Sequence, residues 1–187
     1  MRVIAGKYGG RRLKAVPGMQ TRPTTDKVKE SMFNIMGPYF AGGKSLDLFA
    51  GSGGLSIEAV SRGIDHATLI DRQYQAVKTI KENIAVTKEE DCFQVFKGDA
   101  FKVMERLALA GKSYDLVFLD PPYKKQQILV TIEKLVTLNL LNEDAIIVCE
   151  TDEDAHLPGE LTGFECFKQV NYGITYLTYY RYLGGEV

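Results

Sequence analysis

Four short apolar segments, each followed by a stretch whose apolar residues recur at helical spacing, limit the architectures open to this 187-residue chain. The predicted strands are 45–50, 67–71, 93–96, 115–120 and, after the last helix, 145–149. The predicted helices are 55–61, 73–86, a segment carrying Val103, Met104 and Leu107, and 126–139. Strands that alternate with helices in this way indicate a parallel sheet with helices on both faces, so the predicted fold class is α/β.

The alternation stops in the last part of the chain. Residues 164–170 and 174–183 both have strand character, and no helical segment separates them. We therefore expect an antiparallel hairpin at the edge of a mostly parallel sheet. One face of its last strand is rich in tyrosine, and we expect that face to pack against helices.

The first part of the chain differs in composition. Short segments on either side of Gly9-Gly10 favour a small β-hairpin. Residues 1–30 carry eight Lys/Arg against two Asp/Glu, whereas the remaining residues carry 15 against 22. We expect residues 1–20 to stand off the core as a basic appendage that meets an anionic partner, and residues 21–187 to form the main domain.

A polar segment leads from this hairpin into a predicted helix that ends at Gly37-Pro38. Thr24 or Thr25 is placed to cap its first turn. The apolar runs of the chain are too short for a membrane span, and the first residues lack a signal-peptide core. Three widely spaced cysteines and only two histidines predict a reduced, cytoplasmic protein without a metal site.

A carboxylate and two prolines follow the fourth predicted strand. Both prolines fix φ and lack an N–H, so Asp120-Pro121-Pro122-Tyr123 forms a stiff turn at a strand end, where open α/β sheets bind ligands. The carboxylate, the carbonyl of Pro121 and the ring of Tyr123 suit a flat ring that carries an amino group, because two acceptors take its N–H bonds while the aromatic ring stacks on it. The candidate functional residues at this turn are therefore Asp120, Pro121, Pro122 and Tyr123.

A glycine-rich loop follows the first predicted strand. Asp47 precedes Gly51-Ser52-Gly53-Gly54, where glycines let the backbone approach a ligand and the next helix offers N–H donors. Asp71 ends the following strand, where an acidic side chain can accept both ribose hydroxyls of a nucleoside. Asp99, after the third strand, could accept from an adenine amino group. These three loops predict one nucleoside lying across the strand ends.

Two common nucleotide patterns are missing from the glycine loop. Ser56 stands where a dinucleotide-binding loop has its third glycine, and the Gly-Lys-Ser/Thr of a phosphate-binding loop is absent. Asp47 would repel a pyrophosphate but suits an ammonium and a sulfonium, which favours S-adenosyl-L-methionine over NAD or a plain nucleotide. The predicted cofactor-binding residues are Asp47, Phe49, Ala50, Gly51, Ser52, Gly53, Asp71, Arg72, Asp99, Ala100 and Asp120.

These motifs together resemble the RsmD family, bacterial guanine-N2 methyltransferases of 16S rRNA that belong to the class I S-adenosylmethionine-dependent enzymes with a DPPY motif. The glycine loop and Asp120–Tyr123 indicate only the broad class. The basic hairpin and the segment 21–30 narrow it to this family. The resemblance runs from the start of the chain to the final hairpin, and it implies a Rossmann-like class I sheet with a small β-hairpin extension.

The resemblance implies methyl transfer to the exocyclic N2 of a guanine in the small ribosomal subunit. Asp120 and the Pro121 carbonyl would orient that amine and stabilise its developing positive charge, while Tyr123 would stack on the base. The target base must be unpaired or flipped out to reach such a pocket. No metal is needed, since the sulfonium already activates the methyl group.

The basic segment then supplies the expected contacts with RNA phosphates, which bind without reading sequence. The predicted RNA-binding residues are Arg2, Lys7, Arg11, Arg12, Lys14, Arg22 and Thr24. Arg22 and the residues after it could hold the target strand, close over the cofactor, or do both. We expect a cytoplasmic monomer whose partner is small-subunit ribosomal RNA, naked or in an assembling particle.

Two other functions remain open at this point. The same DPPY geometry serves methyltransferases that act on adenine in DNA or on a glutamine side chain in a protein. The basic hairpin favours a nucleic acid over a protein, and the chain has little room for a separate DNA-recognition domain. The second is a non-catalytic RNA-binding assembly factor, although such a protein would not need the intact Asp120–Tyr123 motif.

Overall fold

The computed structural model describes residues 1–18, 24–121, 125–152 and 156–185. The chain divides into two compact units, Met1–Ala100 and Phe101–Val187. The predictions made for Arg22, Pro122 and Tyr123 lie outside the described residues.

The first unit is a parallel sheet with helices between its strands. Its elements are α1 (Asp26–Met36), β1 (Lys44–Asp47), α2 (Gly54–Ser61), β2 (His66–Asp71), α3 (Tyr74–Thr87) and β3 (Phe93–Lys97), with a 3-10 turn at Glu90–Cys92. The strands run side by side in the order β3-β2-β1. Asp47 is in register with Leu69, and Asp71 with Lys97, so the carboxyl ends of the strands meet at one edge.

Local sequence accounts for these elements. Thr25 caps α1, because its hydroxyl accepts a hydrogen bond from the backbone N–H of Val28 at 3.3 Å. The short helix α2 is buried along almost its whole length, including the polar residues Ser56, Glu58 and Ser61. A helix buried on all sides must find partners for such groups, and this requirement shapes the contacts of α2 described below.

The second unit is mainly antiparallel. Its elements are α4 (Ala100–Leu109, which starts at the last residue of the first unit), β4 (Tyr114–Leu119), α5 (Lys125–Thr137), β5 (Leu141–Asp152), β6 (Glu160–Leu161), β7 (Phe164–Asn171) and β8 (Thr175–Tyr182). β4 and β5 are parallel, and the pairs β5–β8, β8–β7 and β7–β6 are antiparallel.

β5 is much longer than the predicted strand 145–149. The exposed Glu143 and Asp144 interrupt the apolar pattern, and the pairing with β4 shifts where Tyr114 faces Leu141 but Leu116 already faces Ile146. A bulge of this kind hides a strand from pattern-based prediction. The tyrosine-rich face of β8 is buried at its centre, where Tyr180 is fully buried, whereas Ile174, just before the strand, is exposed.

The predicted α/β fold, with parallel strands followed by an antiparallel C-terminal hairpin, is confirmed. Within the described ranges, no helix is both long and apolar enough to cross a membrane.

Candidate active site

The glycine loop between β1 and α2 is a tight turn that leaves room for a ligand at one of its glycines. Gly51 and Gly53 have φ values of +57° and +83°, which side chains rarely tolerate, and Gly53 is the N-cap of α2. A Cβ on Gly53 would lie 3.2 Å from the side chain of Leu69, whereas one on Gly51 would meet nothing within 4 Å. The loop is therefore closely packed beneath Gly53 and open at Gly51.

Asp71, at the end of β2, connects the three loops that were predicted to share a ligand. Its carboxylate accepts hydrogen bonds from the backbone N–H of Gly51 at 3.0 Å and of Gln73 at 2.9 Å. Its backbone carbonyl accepts from Gly98 at 3.0 Å, just before the predicted residue Asp99. A carboxylate has about four lone-pair sites, so Asp71 keeps acceptor capacity for ligand hydroxyls.

Asp47, at the end of β1, is almost completely buried, and its carboxylate accepts from the backbone N–H of Phe49 at 3.1 Å. The backbone N–H of Ala50 donates to the carbonyl of Ile70 at 2.9 Å, which joins the loop to β2. The other predicted cofactor residues of this unit lie on the same loops: Ser52 and Ala100 are half-buried, and Arg72 and Asp99 are exposed. The first unit thus brings together all the predicted cofactor-binding residues except Asp120.

The second unit contains the described residues among those predicted to hold the amine that accepts the methyl group. β4 ends at the buried Leu119, paired in parallel register with Cys149 of β5, and the exposed Asp120 and half-buried Pro121 follow it. An apolar strand buried throughout its last four residues is a rigid base for this turn. The roles assigned to Asp120 and Pro121 stay predictions.

Residues 1–16, which we call the arm, pack against the rest of the first unit. Val3, Tyr8 and Leu13 are buried. The backbone N–H groups of Ile4 and Ala5 donate to the carboxylate of Glu58 in α2, at 2.8 and 3.1 Å. The expectation that this segment stands off the core is therefore wrong, whereas the domain boundary at residue 20 stays a prediction. The arm has a single antiparallel bridge, between Arg2 and Arg12, rather than two full strands.

A buried charge cluster lies beneath the arm. Glu58 pairs with Lys29 of α1 at 3.4 Å and with Arg62, just after α2, at 2.8 Å, and all three side chains are almost fully buried. Burial lowers the pKa of Lys29, against the opposing effect of Glu58. Lys29 contributed to the basic charge of residues 1–30, but its burial removes it from any contact with an anionic partner.

The predicted RNA-binding side chains differ in their contacts. Arg11 donates to the backbone carbonyls of Val86 and Thr87 at the end of α3, at 3.1 and 2.9 Å, which is a structural role. Arg2, Lys7 and Lys14 form surface ion pairs with Asp26, Glu89 and Glu82. The exposed Arg12 has no hydrogen bond or ion pair within the part of the chain that the structure describes. Thr24 is half-buried just before the cap of α1.

Asn83 of α3 is a contact residue that the sequence analysis missed. It is buried, and its side-chain amide forms hydrogen bonds with the backbone of Lys14 in the arm and with the carbonyl of Ser52 in the glycine loop. Asn83 lies on the same face of α3 as Ala76, Ile80 and Thr87. An amide on this face, where an apolar residue would be expected, was the feature of the sequence that could have revealed it.

Comparison with known proteins identifies the family. A family model described as "Conserved hypothetical protein 95" matches residues 1–181. Ribosomal RNA small subunit methyltransferase D of Escherichia coli K12 is 33% identical over 187 residues, which cover 100% of this chain and 92% of that protein. The chain belongs to the RsmD family.

Other relatives of this RsmD-family chain agree. A Bacillus subtilis protein, YlbH, provisionally named as an rRNA methyltransferase, is 44% identical over 184 residues, covering 98% of this chain and all of that protein. The solved structure of an Escherichia coli protein, yhhF, provisionally described as a methyltransferase, is 31% identical with a TM-score of 0.84 and covers 99% of both chains. The predicted family and its Rossmann-like class I methyltransferase fold are therefore confirmed.

Proposed function

We propose that this RsmD-family chain transfers a methyl group from S-adenosyl-L-methionine to the exocyclic N2 of a guanine in small-subunit ribosomal RNA. The observation that carries the proposal is the set of hydrogen bonds centred on Asp71, which organises the glycine loop at the strand ends, in a chain related over its whole length to methyltransferase D. The reaction takes place in the cytoplasm, where ribosomal RNA is modified.

The first unit supplies the cofactor side. The open face at Gly51 admits a ligand close to the backbone, and the unused lone pairs of Asp71 suit the ribose hydroxyls. Asp47, Ser52, Asp99 and Ala100 would complete the contacts. These residues fit S-adenosyl-L-methionine, which when bound supplies a methyl group activated by its positive sulfonium.

The second unit supplies the acceptor side. The exocyclic amine of guanine is a weak nucleophile because its lone pair is delocalised into the ring. Asp120 and the carbonyl of Pro121 would accept its two N–H bonds, fix its direction and stabilise the positive charge that develops on nitrogen. A carboxylate on a stiff turn after a buried strand is preorganised for this task. Tyr123 would stack on the base.

The arm supplies the substrate side. Arg12, which has no ion pair among the described residues, is the best-placed group for a phosphate, and Arg2 lies opposite it across the single bridge of the arm. Arg2 is paired with Asp26 at 3.2 Å, so the charge available to an RNA phosphate here is mainly that of Arg12. Arg2 and Arg12 line an open cleft with Met1, Gly10 and Asp26.

A methyl-transfer assay with labelled cofactor tests the proposal. Unmodified small-subunit particles, naked small-subunit RNA, duplex DNA and a protein extract are compared, and modified nucleosides are identified by mass spectrometry. We expect label in N2-methylguanosine, with RNA or particles as the substrate. Label in adenine of DNA or in protein would keep the chemistry and overturn the substrate. No label, with cofactor binding intact, would favour an RNA-binding assembly factor.

Substitution of Asp120 tests the assigned role. Asp120→Ala should lower kcat by about 10²–10³, the usual effect of removing one group that stabilises transition-state charge. Asp91→Ala, which removes an exposed carboxylate from the 3-10 turn, is the control and should leave kcat unchanged. Full activity of Asp120→Ala would remove Asp120 from the mechanism.

A further inference from the structure

We propose that Asn83 is a positioning residue for the cofactor loop, which it ties to the arm. The inference rests on the proposed function to the extent that the glycine loop binds S-adenosyl-L-methionine. Nothing in the expected chemistry requires Asn83 to touch cofactor or RNA, and its effect would pass through the backbone that it holds.

Both donors and the oxygen of the Asn83 side-chain amide are engaged, and these partners fix the orientation of the amide. Its nitrogen donates to the carbonyl of Ser52 at 2.9 Å and to the carbonyl of Lys14 at 2.9 Å. Its oxygen accepts from the backbone N–H of Lys14 at 2.8 Å. Only 1% of the residue is exposed. Both N–H bonds are engaged, so Asn83 cannot donate to a ligand without breaking one of these contacts.

The arm touches the glycine loop at a second point. The hydroxyl of Ser52 lies 3.7 Å from the sulfur of Met1, and a Cβ added to Gly54 would lie 3.1 Å from the same sulfur. The carbonyl of Met1 in turn accepts from the backbone N–H of Leu13 at 2.9 Å, so both sides of the arm are joined here. The arm is thus part of the support of the loop.

Asp71 and Asn83 anchor the backbone of the loop through their side chains. Asp71 bonds the N–H of Gly51, and Asn83 bonds the carbonyl of the next residue, Ser52. Between them they fix the peptide units from which the predicted cofactor contacts project. Loss of the Asn83 anchor leaves the partly buried carbonyls of Ser52 and Lys14 without this donor, so the loop loses one of the contacts that fix its position.

This arrangement predicts a specific kinetic signature. A displaced loop weakens cofactor binding, whereas the groups that act on the target amine are on the second unit and are unchanged. Asn83→Ala should therefore raise the KM and Kd for S-adenosyl-L-methionine about tenfold, the equivalent of ~1.4 kcal/mol, with kcat at saturating cofactor within about twofold of the wild type. Loss of fold alone would lower the active fraction without changing the Kd of the remaining protein.

The experiment measures cofactor Kd by calorimetry, KM and kcat by methyl transfer, and amide hydrogen exchange of residues 51–54. Asn83→Ser is measured in parallel because it is milder and keeps a hydroxyl donor. Thr131→Val is the matched control: Thr131 is also 1% exposed, but its hydroxyl donates to the carbonyl of Gln127 within α5. We expect faster exchange at 51–54 and weaker cofactor binding in both Asn83 variants, and neither change in Thr131→Val.

A folded Asn83→Ala protein with unchanged cofactor Kd and unchanged exchange at 51–54 would overturn the inference, as would an equal loss of affinity in Thr131→Val. The exchange measurement needs no ligand. If the wild type neither binds the cofactor nor transfers methyl, the proposed function fails, while faster exchange in the variants would still support the tie between the arm and the loop.

Discussion

The ammonium of Lys29 lies 3.4 Å from the carboxylate of Glu58, and only 2% and 0% of these two side chains are exposed. The same carboxylate accepts from Arg62 and from the backbone N–H groups of Ile4 and Ala5. A residue of α2 thus holds α1 and the arm together. Buried ions are tolerated only when they are paired and hydrogen-bonded, so this cluster requires all its members.

Glu58→Gln should destabilise the protein by about 3–5 kcal/mol, because it leaves the Lys29 and Arg62 charges buried without a counter-ion. Chemical denaturation measures the loss. Hydrogen exchange of Ile4 and Ala5 should accelerate at the same time, since their acceptor is weakened. Glu82→Gln is the control: its ion pair with Lys14 is exposed and should contribute at most about 1 kcal/mol. Equal losses from the two substitutions would contradict a structural role for the buried cluster.

The sequence was sufficient for features that depend on neighbouring residues. The alternation of strands and helices, the cap at Thr25 and the glycine loop are all encoded within a few positions. The spacing of Gly51 and Asp71 was also informative, because parallel strands joined by a helix bring their carboxyl ends to one edge. The direct hydrogen bond between these two residues confirms that the loops meet.

Features that depend on long-range packing were missed. Glu58 and Lys29 are charged residues of the kind usually found on a protein surface. The residues next to them in the sequence do not show that α2 is buried on almost every side. Arg11 was grouped with the other cations of the arm, yet it bonds the end of α3, which lies about 75 positions along the chain. Asn83 escaped notice for the same reason, since its partners belong to two other segments.

Gly6→Ala should detach the arm, whereas Gly10→Ala should not. Both glycines have φ near +85°, so each substitution carries a similar backbone strain of roughly 1–2 kcal/mol. A Cβ on Gly6 would also overlap the backbone oxygen of Ser61, while one on Gly10 would meet nothing within 4 Å. Gly6→Ala should therefore cost more, with the excess measured as the difference between the two free energies of unfolding. A difference near zero would show that the arm can shift without penalty.

Stability should fall at alkaline pH. Burial raises the pKa of Tyr179, Tyr180 and Cys149 well above their ordinary values, so these groups stay protonated in the native state. The unfolded chain releases their protons from about pH 8.5 for cysteine and about pH 10 for tyrosine. The unfolded state then binds fewer protons, and each group lowers stability by ~1.4 kcal/mol per pH unit above these values.

Tyr179→Phe tests this directly, because the buried Tyr179 hydroxyl has no hydrogen-bond partner within the described residues. The substitution should make the free energy of unfolding fall less steeply with pH above pH 10, by the contribution of one tyrosine. Denaturation at several pH values measures this slope. Tyr39→Phe, at an exposed position, is the control. Lys29 has the opposite effect on the pH dependence. Its pKa in the folded protein is lowered, so its contribution to the free energy of unfolding increases as the pH rises, up to the ordinary lysine pKa of 10.5. An unchanged slope in Tyr179→Phe would contradict the assignment.

Arg11→Ala should lower the stability of the protein, whereas Arg12→Ala should weaken RNA binding. Arg12 has no partner within the described residues, so its loss should leave unfolding within about 0.5 kcal/mol of the wild type. If Arg12 meets a phosphate, RNA affinity should fall and the slope of log K against log salt should decrease by about 0.7, the value for one contact with a single strand. Arg11 holds two carbonyls at the end of α3, so Arg11→Ala should instead destabilise the protein by about 1.5–3 kcal/mol, the usual contribution of a hydrogen bond to a charged group.

RNA titrations at four salt concentrations, together with denaturation of each variant, separate these outcomes. A reduced salt slope in Arg12→Ala with normal stability would assign the phosphate contact to Arg12. The same reduction in Arg11→Ala, without loss of stability, would mean that Arg11 leaves α3 to bind RNA and that the arm changes its contacts in the complex. Because the two arginines are adjacent in sequence and differ mainly in their partners, the comparison tests the division of the arm's cations into structural and RNA-binding groups.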